Sequence, residues 1–358
     1  MKKVFSKRNL IIMFFPVVFV LVILTLGLPQ RVLTAATIGG EKYTVVDYNF
    51  YYYEAYYNYV NDHYDQLGEL GLNINASLKS QQYDEDTTWE QYFRQMTLED
   101  MQEYAILCHE AEQAGFDASE EIAATQGEKQ ALIRDYCIAN NIGDVNKYLS
   151  QLYDGGMTEQ VYYEQLSRRT LAECYREQVL AELAPDDAAV AEQAQRYGGE
   201  EEYQTADVVV AYFPPATDRV TGQSEERQWQ NAETLAQAAQ ARAEENGGDL
   251  EAYLEVATQF SQLEDEDHPD GHFPNLTKQD VEEVLEAWCF DPARQSGDSA
   301  VLRDDTGCYL VYFNGFGESN LILRARADLL DQNYQQWLQN RQENFAIETN
   351  GLGMLIAR

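Results

Sequence analysis

The spacing of apolar residues predicts a series of long helices from residue 44 to about residue 200. Apolar residues recur every three or four positions there, and a capping residue precedes each run. Thr44 and Asp47 form a capping box before the first helix, while Thr88 caps the second helix and Gly115 ends it. Further helical segments are predicted at 119–141, 144–156, 157–183 and 186–202.

The first predicted helix is crowded with tyrosine. Its seven tyrosines are residues 48, 51, 52, 53, 56, 57 and 59. Seven rings cannot share one face of a helix, so some of them must meet solvent or a partner. We expect most of them to lie in the core or at a domain interface, and contact with a bound peptide is the alternative.

Beyond residue 203 the pattern changes from helices alone to strand, helices and then strands. A β-rich run at 205–215 ends in two prolines and precedes predicted helices at 227–245, 249–260 and 281–290. Two strands are then predicted at 297–305 and 307–315, and a helix at 327–345 precedes a strand-like stretch at 353–358. This order describes a small α+β domain and argues against a Rossmann unit.

The N-terminal segment is predicted to lie outside the globular fold. Residues 10–28 are nineteen positions without a charge, preceded by Lys2, Lys3, Lys7 and Arg8. The length and the basic flank predict an uncleaved single-pass membrane anchor with the rest of the chain exported. The small residues of VLTAA, 32–36, leave a cleaved signal and a secreted protein as the alternative.

The charge balance excludes one class of partner. The chain has 25 Lys and Arg against 61 Asp and Glu, a net charge of −36, so a nucleic-acid backbone would be repelled. Five of the cations and none of the acids lie in residues 1–36, so the remainder carries −41. We interpret the acidity as a solvated surface, with the holding of basic partners or cations as the alternative.

Cysteine and histidine give no signature of metal or redox chemistry. The five cysteines contain no CxxC, and their odd number leaves at least one thiol free, while Cys289 and Cys308 remain a candidate pair. His268 and His272 lie in the acidic loop EDEDHPDGH, where a solvated loop is favoured over a weak cation site. The chain has no Ser/His/Asp triad, P-loop or zinc signature, and we expect no metal and no cofactor.

Several segments, taken in order, resemble one known family. The helical part contributes IGGEKYTVVDYNF, AILCHEAEQAGF, KYLSQLYDGGMTEQVYYEQL and a last helix ending in WLQNRQENFAI; the later part contributes TADVVVAYF, VATQFSQ, VEEVLEAWCF and GDSAVLRDDTGCYLVYFNG. This order resembles the SurA/PrsA-type extracytoplasmic foldases, in which a helical chaperone domain flanks a parvulin-type (PpiC-like) peptidyl-prolyl isomerase.

The resemblance implies a fold and a division of the chain. The fold class is α+β, with a small α+β parvulin-like domain inserted into a mainly helical SurA-like chaperone domain. The implied divisions are a signal or anchor at 1–36, the chaperone domain at 37–202, the parvulin-like domain at 203–316, and a C-terminal helix at 317–358 that packs on the chaperone domain.

The resemblance also implies a peptide site in the inserted domain. The positions of the two family histidines best match Asp207 and Tyr309. The implied peptide-binding residues are Phe273, Leu285, Trp288, Phe290 and Tyr309. The family's glycine-rich loop corresponds to the degenerate stretch 270–273, whereas Gly247 and Gly248 form only a turn before a helix. With both histidines replaced, the resemblance implies that the fold is retained and that isomerase activity is weak or absent.

Three functions follow from this reading of the sequence. The leading hypothesis is a membrane-tethered extracytoplasmic folding factor that binds unfolded exported polypeptides. An active, divergent peptidyl-prolyl isomerase and a cell-envelope scaffold protein with one fixed partner are the alternatives. A proline-isomerisation assay distinguishes the first from the second, and the range of bound clients distinguishes the first from the third.

Overall fold

The computed structural model describes residues 28–215, 224–263, 265 and 267–358. The predicted anchor, residues 10–28, lies outside the described residues except for its last position. Among the residues that the structure describes, no helix is long and apolar enough to cross a membrane.

The described residues form a mixture of helices and antiparallel strands, as the α+β prediction required. The helices are α1 Leu28–Val32, α2 Val45–Asp62, α3 Trp89–Ala114, α4 Ser119–Ala139, α5 Val145–Leu152, α6 Glu159–Glu182, α7 Asp187–Gln195, α8 Glu225–Glu245, α9 Leu250–Phe260, α10 Glu283–Cys289, α11 Asn320–Gln342 and α12 Gly351–Ile356. The strands are β1 Thr34–Ile38, β2 Glu41–Thr44, β3 Gln204–Phe213, β4 His272–Leu276, β5 Ser299–Arg303, β6 Cys308–Ser319 and β7 Ile347–Thr349. They divide into unit 1, Met1–Ala184 with Gln332–Arg358, and unit 2, Pro185–Asp331.

Unit 1 is a helical body whose helix ends follow the predicted capping signals. Thr44 accepts from the Asp47 backbone N–H while the Asp47 carboxylate accepts from the Thr44 N–H, so the capping box is confirmed. Thr88 caps α3, and Gly115 ends it in the left-handed conformation. The core is aromatic, and its fully buried rings include Trp89 and Phe93.

A small sheet closes unit 1. Its strand order is β2-β1-β7, and β1 pairs antiparallel with both neighbours. Tyr334 and Leu338, in the last part of α11, lie in a core cluster with Ile106 and Leu107 of α3. Residues 351–356 form helix α12, so the prediction of a strand-like stretch at 353–358 was wrong. The Asn350 side chain accepts hydrogen bonds from two backbone N–H groups and thereby starts a helix.

Unit 2 is built on a four-stranded antiparallel sheet of order β4-β3-β6-β5. Alternate residues of β3 and β6 face opposite sides. On one face, Val209 and Tyr312 belong to the cluster that includes the alanines of α8 and Tyr253 of α9. On the other, Val208 and Val311 pack in the cluster that includes Leu285 of α10.

The cysteines are all among the described residues and all are free. Cys289 packs with the α10 face of the unit 2 sheet, whereas Cys308 packs with the α8 and α9 face. The sheet therefore separates the two thiols, and the pair that the sequence left open is not formed.

Candidate peptide-binding groove

The α10 face of the unit 2 sheet carries a groove with a volume of about 450 Å³. Its apolar lining comes from both sheet and helix: Val210, Leu263, Phe273, Leu276, Val281, Leu285 and Tyr309. Polar side chains complete the rim: Asp265, Gln279, Asp280 and Glu282. An apolar lining with a few polar groups at the edge is the usual composition of a peptide or small-ligand site.

Tyr309 is one of the residues that line this groove. The side chain is 7% exposed, and its ring centroid lies 5.0 Å from that of Tyr212. Its hydroxyl is hydrogen-bonded to Thr306 Oγ1 at 2.9 Å. Burial raises the pKa of Tyr309 to about 12, so the groove presents a neutral phenol at physiological pH.

Phe273 forms one wall, and the preceding loop positions it. Gly271 has φ +73°, and a Cβ at this position would lie 2.4 Å from the carbonyl oxygen of Val210. Only glycine allows this close approach to β3. The His268 ring stacks on Phe273 with centroids 4.3 Å apart, and His268 Nδ1 lies 3.2 Å from Asp265 Oδ1. The acidic loop therefore acts as a support for the groove wall.

Leu285 lines the groove, but two other predicted peptide-binding residues do not. The Arg294 guanidinium lies over the Trp288 ring, 4.2 Å from its centroid. Phe290 packs edge-on against Tyr203 with centroids 5.6 Å apart. Both aromatic rings are half-buried and occupied by contacts within unit 2, so Phe273, Leu285 and Tyr309 are the predicted residues that the structure brings together.

Asp207 does not lie in the groove. It faces the α8 and α9 side, where its Oδ1 is 2.9 Å from His272 Nε2 and its Oδ2 accepts from Asn314 Nδ2 at 2.6 Å. Ala206, Val208 and Val210 of β3 share the α10 face, so alternation along the strand leaves Asp207 on the other face. The ladder between β3 and β6 slips between Asp207 and Val208, and the extra residue there, Asn314, is on β6.

The structure thus separates the two positions that the alignment placed at one site. Tyr309 pairs across the sheet with Tyr212, and Asp207 pairs with Gly315. On β3, the groove is lined by Val210, which sequence reasoning missed along with Leu276 and Val281. The available signal was that Asp207 stands an odd number of positions before Val210 on β3, so the two face opposite sides; the register of β3 against β6 was still needed to assign each face.

Unit 1 carries a second cavity, of about 420 Å³, beside the tyrosine-rich helix. Tyr52, Tyr53 and Tyr56 line it, together with Leu78 and Arg358. The other rings of the helix divide as the sequence predicted, with Tyr48 and Tyr51 buried in the core and Tyr57 36% exposed.

Within residues 28–215, 224–263, 265 and 267–358, no group of three or more His, Cys, Asp or Glu side chains is placed to hold a metal ion. His268 and His272, for which the sequence favoured a solvated loop over a weak cation site, each face a single aspartate, Asp265 and Asp207 respectively.

Comparisons with known proteins found similarity at the level of solved structures. No protein-family model and no curated protein sequence matches the chain. PrsA from Bacillus subtilis matches with 11% identity over 72% of this chain and 86% of its own, at a TM-score of 0.38. The foldase protein PrsA from Streptococcus pneumoniae matches with 15% identity over 76% and 96%, at 0.30.

A SurA-like chaperone of Campylobacter jejuni matches with 9% identity over 89% of this chain and 99% of its own, at a TM-score of 0.30. Identities and scores this low describe a distant likeness and do not assign an activity. The matched structures are nevertheless of the kind that the sequence resemblance named. The chain is similar to the SurA/PrsA-type foldases.

Proposed function

We propose that this protein is a membrane-tethered extracytoplasmic folding factor that holds unfolded exported polypeptides. Its parvulin-like module binds peptide and has weak or no isomerase activity. One observation carries this proposal. Of the two positions matched to the family histidines, Tyr309 lies in the largely apolar groove, whereas Asp207 lies on the opposite face of the sheet.

The groove offers few groups that could stabilise a twisted amide electrostatically. Rotation about an X-Pro bond crosses a barrier of about 18–20 kcal/mol, and an enzyme lowers it with preorganised groups that favour the twisted amide. The Tyr309 hydroxyl is already hydrogen-bonded to Thr306, and the other sheet residues of the groove, Val210, Phe273 and Leu276, are apolar. Such a site favours burial of an apolar segment, which it holds without distinguishing strongly between the planar and the twisted amide.

The rim suggests which segments bind best. Asp265, Asp280 and Glu282 surround the apolar lining. A proline or aromatic residue flanked by lysine or arginine would bury its apolar part against Phe273 while its cation faces these carboxylates. We expect binding of such segments to weaken as salt screens the rim charges.

The tether rests on the sequence. Residues 10–28 carry no charge and follow a basic flank, which supports a single-pass anchor in the cell membrane with the remainder outside. A secreted form after cleavage near 32–36 is the alternative.

The test combines peptide binding with an isomerisation assay on the whole chain in detergent. Fluorescent peptides with a basic residue beside proline should bind, and catalysis of their isomerisation should be slight. Phe273→Ala should weaken binding at the groove, whereas the matched variant Phe290→Ala, also a half-buried ring of unit 2, should not. Strong isomerase activity would favour the active-enzyme alternative, and equal binding by both variants would refute the groove as the site.

The scaffold alternative is tested by the range of clients. A folding factor should suppress the aggregation of several unrelated unfolded proteins, whereas a scaffold should bind one partner in its folded form. Failure to suppress aggregation of any client, with one stable partner recovered from cell envelopes, would replace the proposed function.

A further inference from the structure

Two segments lie together on one side of unit 1. One is the stretch that directly follows the proposed anchor, and the other is the last helix, α12. The Arg31 side chain donates from Nε to the Gly156 carbonyl oxygen at 2.8 Å. A Cβ at Gly353 in α12 would lie 1.9 Å from the Thr34 carbonyl oxygen, so α12 rests directly on the backbone of β1. The entry of the chain into unit 1 and helix α12 are therefore neighbours.

The 154–156 loop joins these two segments. Arg358 lies 3.2 Å from the Asp154 carboxylate through its Nε, two residues from the loop position that Arg31 contacts. Residues 29–34, 154–156 and 351–358 thus lie together at one side of unit 1. The proposed anchor, residues 10–28, ends directly before residues 29–34, so a bilayer that holds the anchor would lie next to this side of unit 1.

This side carries apolar side chains that the fold does not use. Leu355 is 76% exposed and Val32 is 74% exposed, the two highest values among the large apolar side chains of the described residues. Leu352 is 60% exposed and lies one turn from Leu355, on the same side of α12. Exposed leucines in neighbouring turns, beside an exposed valine, form an apolar surface.

Helix α12 is held firmly in spite of its exposed leucines. The Arg94 guanidinium donates to the carbonyl oxygens of Met354 and Ala357 at 3.1 and 3.0 Å. The Asn350 side chain accepts from the N–H groups of Leu352 and Gly353. Both ends of the helix are therefore fixed, and the outward direction of the leucines is a property of the fold.

Cations lie beside these leucines in a chain that is otherwise acidic. Lys79 lines one cavity with Arg94 and Leu355, and its side chain is 68% exposed. Arg358 is 54% exposed. The acids that face them, Glu90 and Asp154, are each already in contact with one of these cations. Leucines bordered by cations are the composition of a surface that lies in the headgroup layer of an anionic membrane.

We propose that Val32, Leu352 and Leu355, with Lys79 and Arg358, form a membrane-facing surface that docks on the same bilayer that holds the anchor. This inference rests on the proposed tether. Val32 follows Leu28 by four residues, about 6 Å of helix, which is within the depth of an interfacial layer of about 5–10 Å. The occupant is therefore the lipid surface to which the chain is already attached.

The test uses the whole chain reconstituted in vesicles that contain anionic lipid and a photoactivatable lipid. After irradiation and trypsin digestion, crosslinked lipid is expected on the peptides 32–42 and 342–358. It should be scarce on the peptide 130–134, which carries Leu132, a 55% exposed leucine of α4 in the same unit. Omitting anionic lipid should reduce crosslinking to the first two peptides.

A double variant and a matched control make the test specific. Leu352→Ser with Leu355→Ser should lower crosslinking of the peptide 32–42 by about tenfold or more, because burial of even one leucine exceeds a tenfold step in an equilibrium constant. Leu132→Ser should leave that yield unchanged. Both changes affect exposed side chains, so thermal unfolding of each variant should match that of the parent chain.

The outcomes separate this inference from the tether on which it rests. Suppose that the chain resists extraction by alkaline carbonate, so that the anchor holds. Crosslinking that is uniform over the three peptides would then overturn the membrane-facing surface, and so would crosslinking that is unchanged in the double variant. Extraction of the whole chain by alkaline carbonate would instead refute the anchor, and the membrane-facing surface with it.

Discussion

Placing histidines at the two positions that match the family pair should not create an isomerase. The change is Asp207→His together with Tyr309→His. Two imidazoles share a hydrogen-bond network only when their nitrogens lie within about 3 Å of each other or of a common partner. The structure keeps residues 207 and 309 far outside that range.

The separation follows from the strand register. Tyr309 pairs with Tyr212, and Asp207 lies five residues before Tyr212 on β3. At about 3.3 Å per residue this is about 17 Å along the strand. In addition, Tyr309 lines the groove, whereas Asp207 contacts His272 on the other face. No rotamer of the two introduced histidines closes that distance through the sheet.

The assay is the isomerisation of a proline peptide, whose uncatalysed exchange takes roughly tens to hundreds of seconds. A matched control is Val210→His with Tyr309→His. Val210 pairs with Val311, two residues from Tyr309, so the control places both histidines on the groove face as diagonal neighbours. Their backbones are then about 7–8 Å apart, a separation that long side chains can span to reach each other or a common partner. Any gain from paired imidazoles is expected in the control alone.

Folding must be checked before the two variants are compared, because Val210 is 3% exposed and a buried imidazole destabilises the sheet. Circular dichroism melting of each variant provides that check. A clear gain in the Asp207 and Tyr309 variant, equal to or above the gain in the control, would show that the two positions do act at one site. The assignment of sheet faces on which the proposed function rests would then be wrong.

Three further predictions concern stability, each measured by urea unfolding. Tyr309→Phe removes one hydrogen bond, to Thr306, and should lower the unfolding free energy by at most about 1 kcal/mol; a larger loss would mean the hydroxyl has another buried partner. Burial raises the pKa of Asp100 to about 6, so the folded state binds the proton more tightly than the unfolded state does. The free energy of unfolding should therefore fall as pH rises from about 4 to 6. Asp100→Asn should remove that fall, so the variant should exceed the parent chain by up to about 3 kcal/mol in unfolding free energy at pH 7 and by nothing at pH 4. Gly271→Ala should cost about 1–3 kcal/mol, because φ is +73° and the methyl would strike the Val210 carbonyl oxygen; an unchanged midpoint would contradict this.

Local signals in the sequence were enough to predict most helices. The capping box at Thr44 and the left-handed glycine at Gly115 act within one turn of the chain, so they need no tertiary partner to be recognised. Asp249 likewise caps α9, since its carboxylate accepts from the Ala252 N–H. The prediction of a strand-like stretch at 353–358 was wrong because the apolar residues there have no clear period. The Asn350 side chain caps the first turn and stabilises a helix instead.

The groove was harder to predict because it depends on strand register. Alternation along β3 says that Asp207 and Val208 face opposite sides, but it does not say which side meets α10. The face is decided by the pairing of Tyr212 with Tyr309 of β6, about a hundred residues later. Phe290 was expected in the groove from the resemblance alone, and its ring instead packs against Tyr203, a residue distant in sequence.

The pairing of β1 with β7 has a consequence for the order in which the protein folds. Ile38 meets Ile347 in one small sheet, so unit 1 joins two segments from opposite ends of the described chain. Unit 2 is one continuous segment, Pro185–Asp331. A chain exported from its N-terminus can therefore complete unit 2 while unit 1 still waits for its last strand. Closing so long a loop is slow, and the sides of Ile106 and Leu107 that pack with Tyr334 and Leu338 would stay exposed until then. During its own export this protein would thus be, for a time, the kind of unfinished chain that it is proposed to bind.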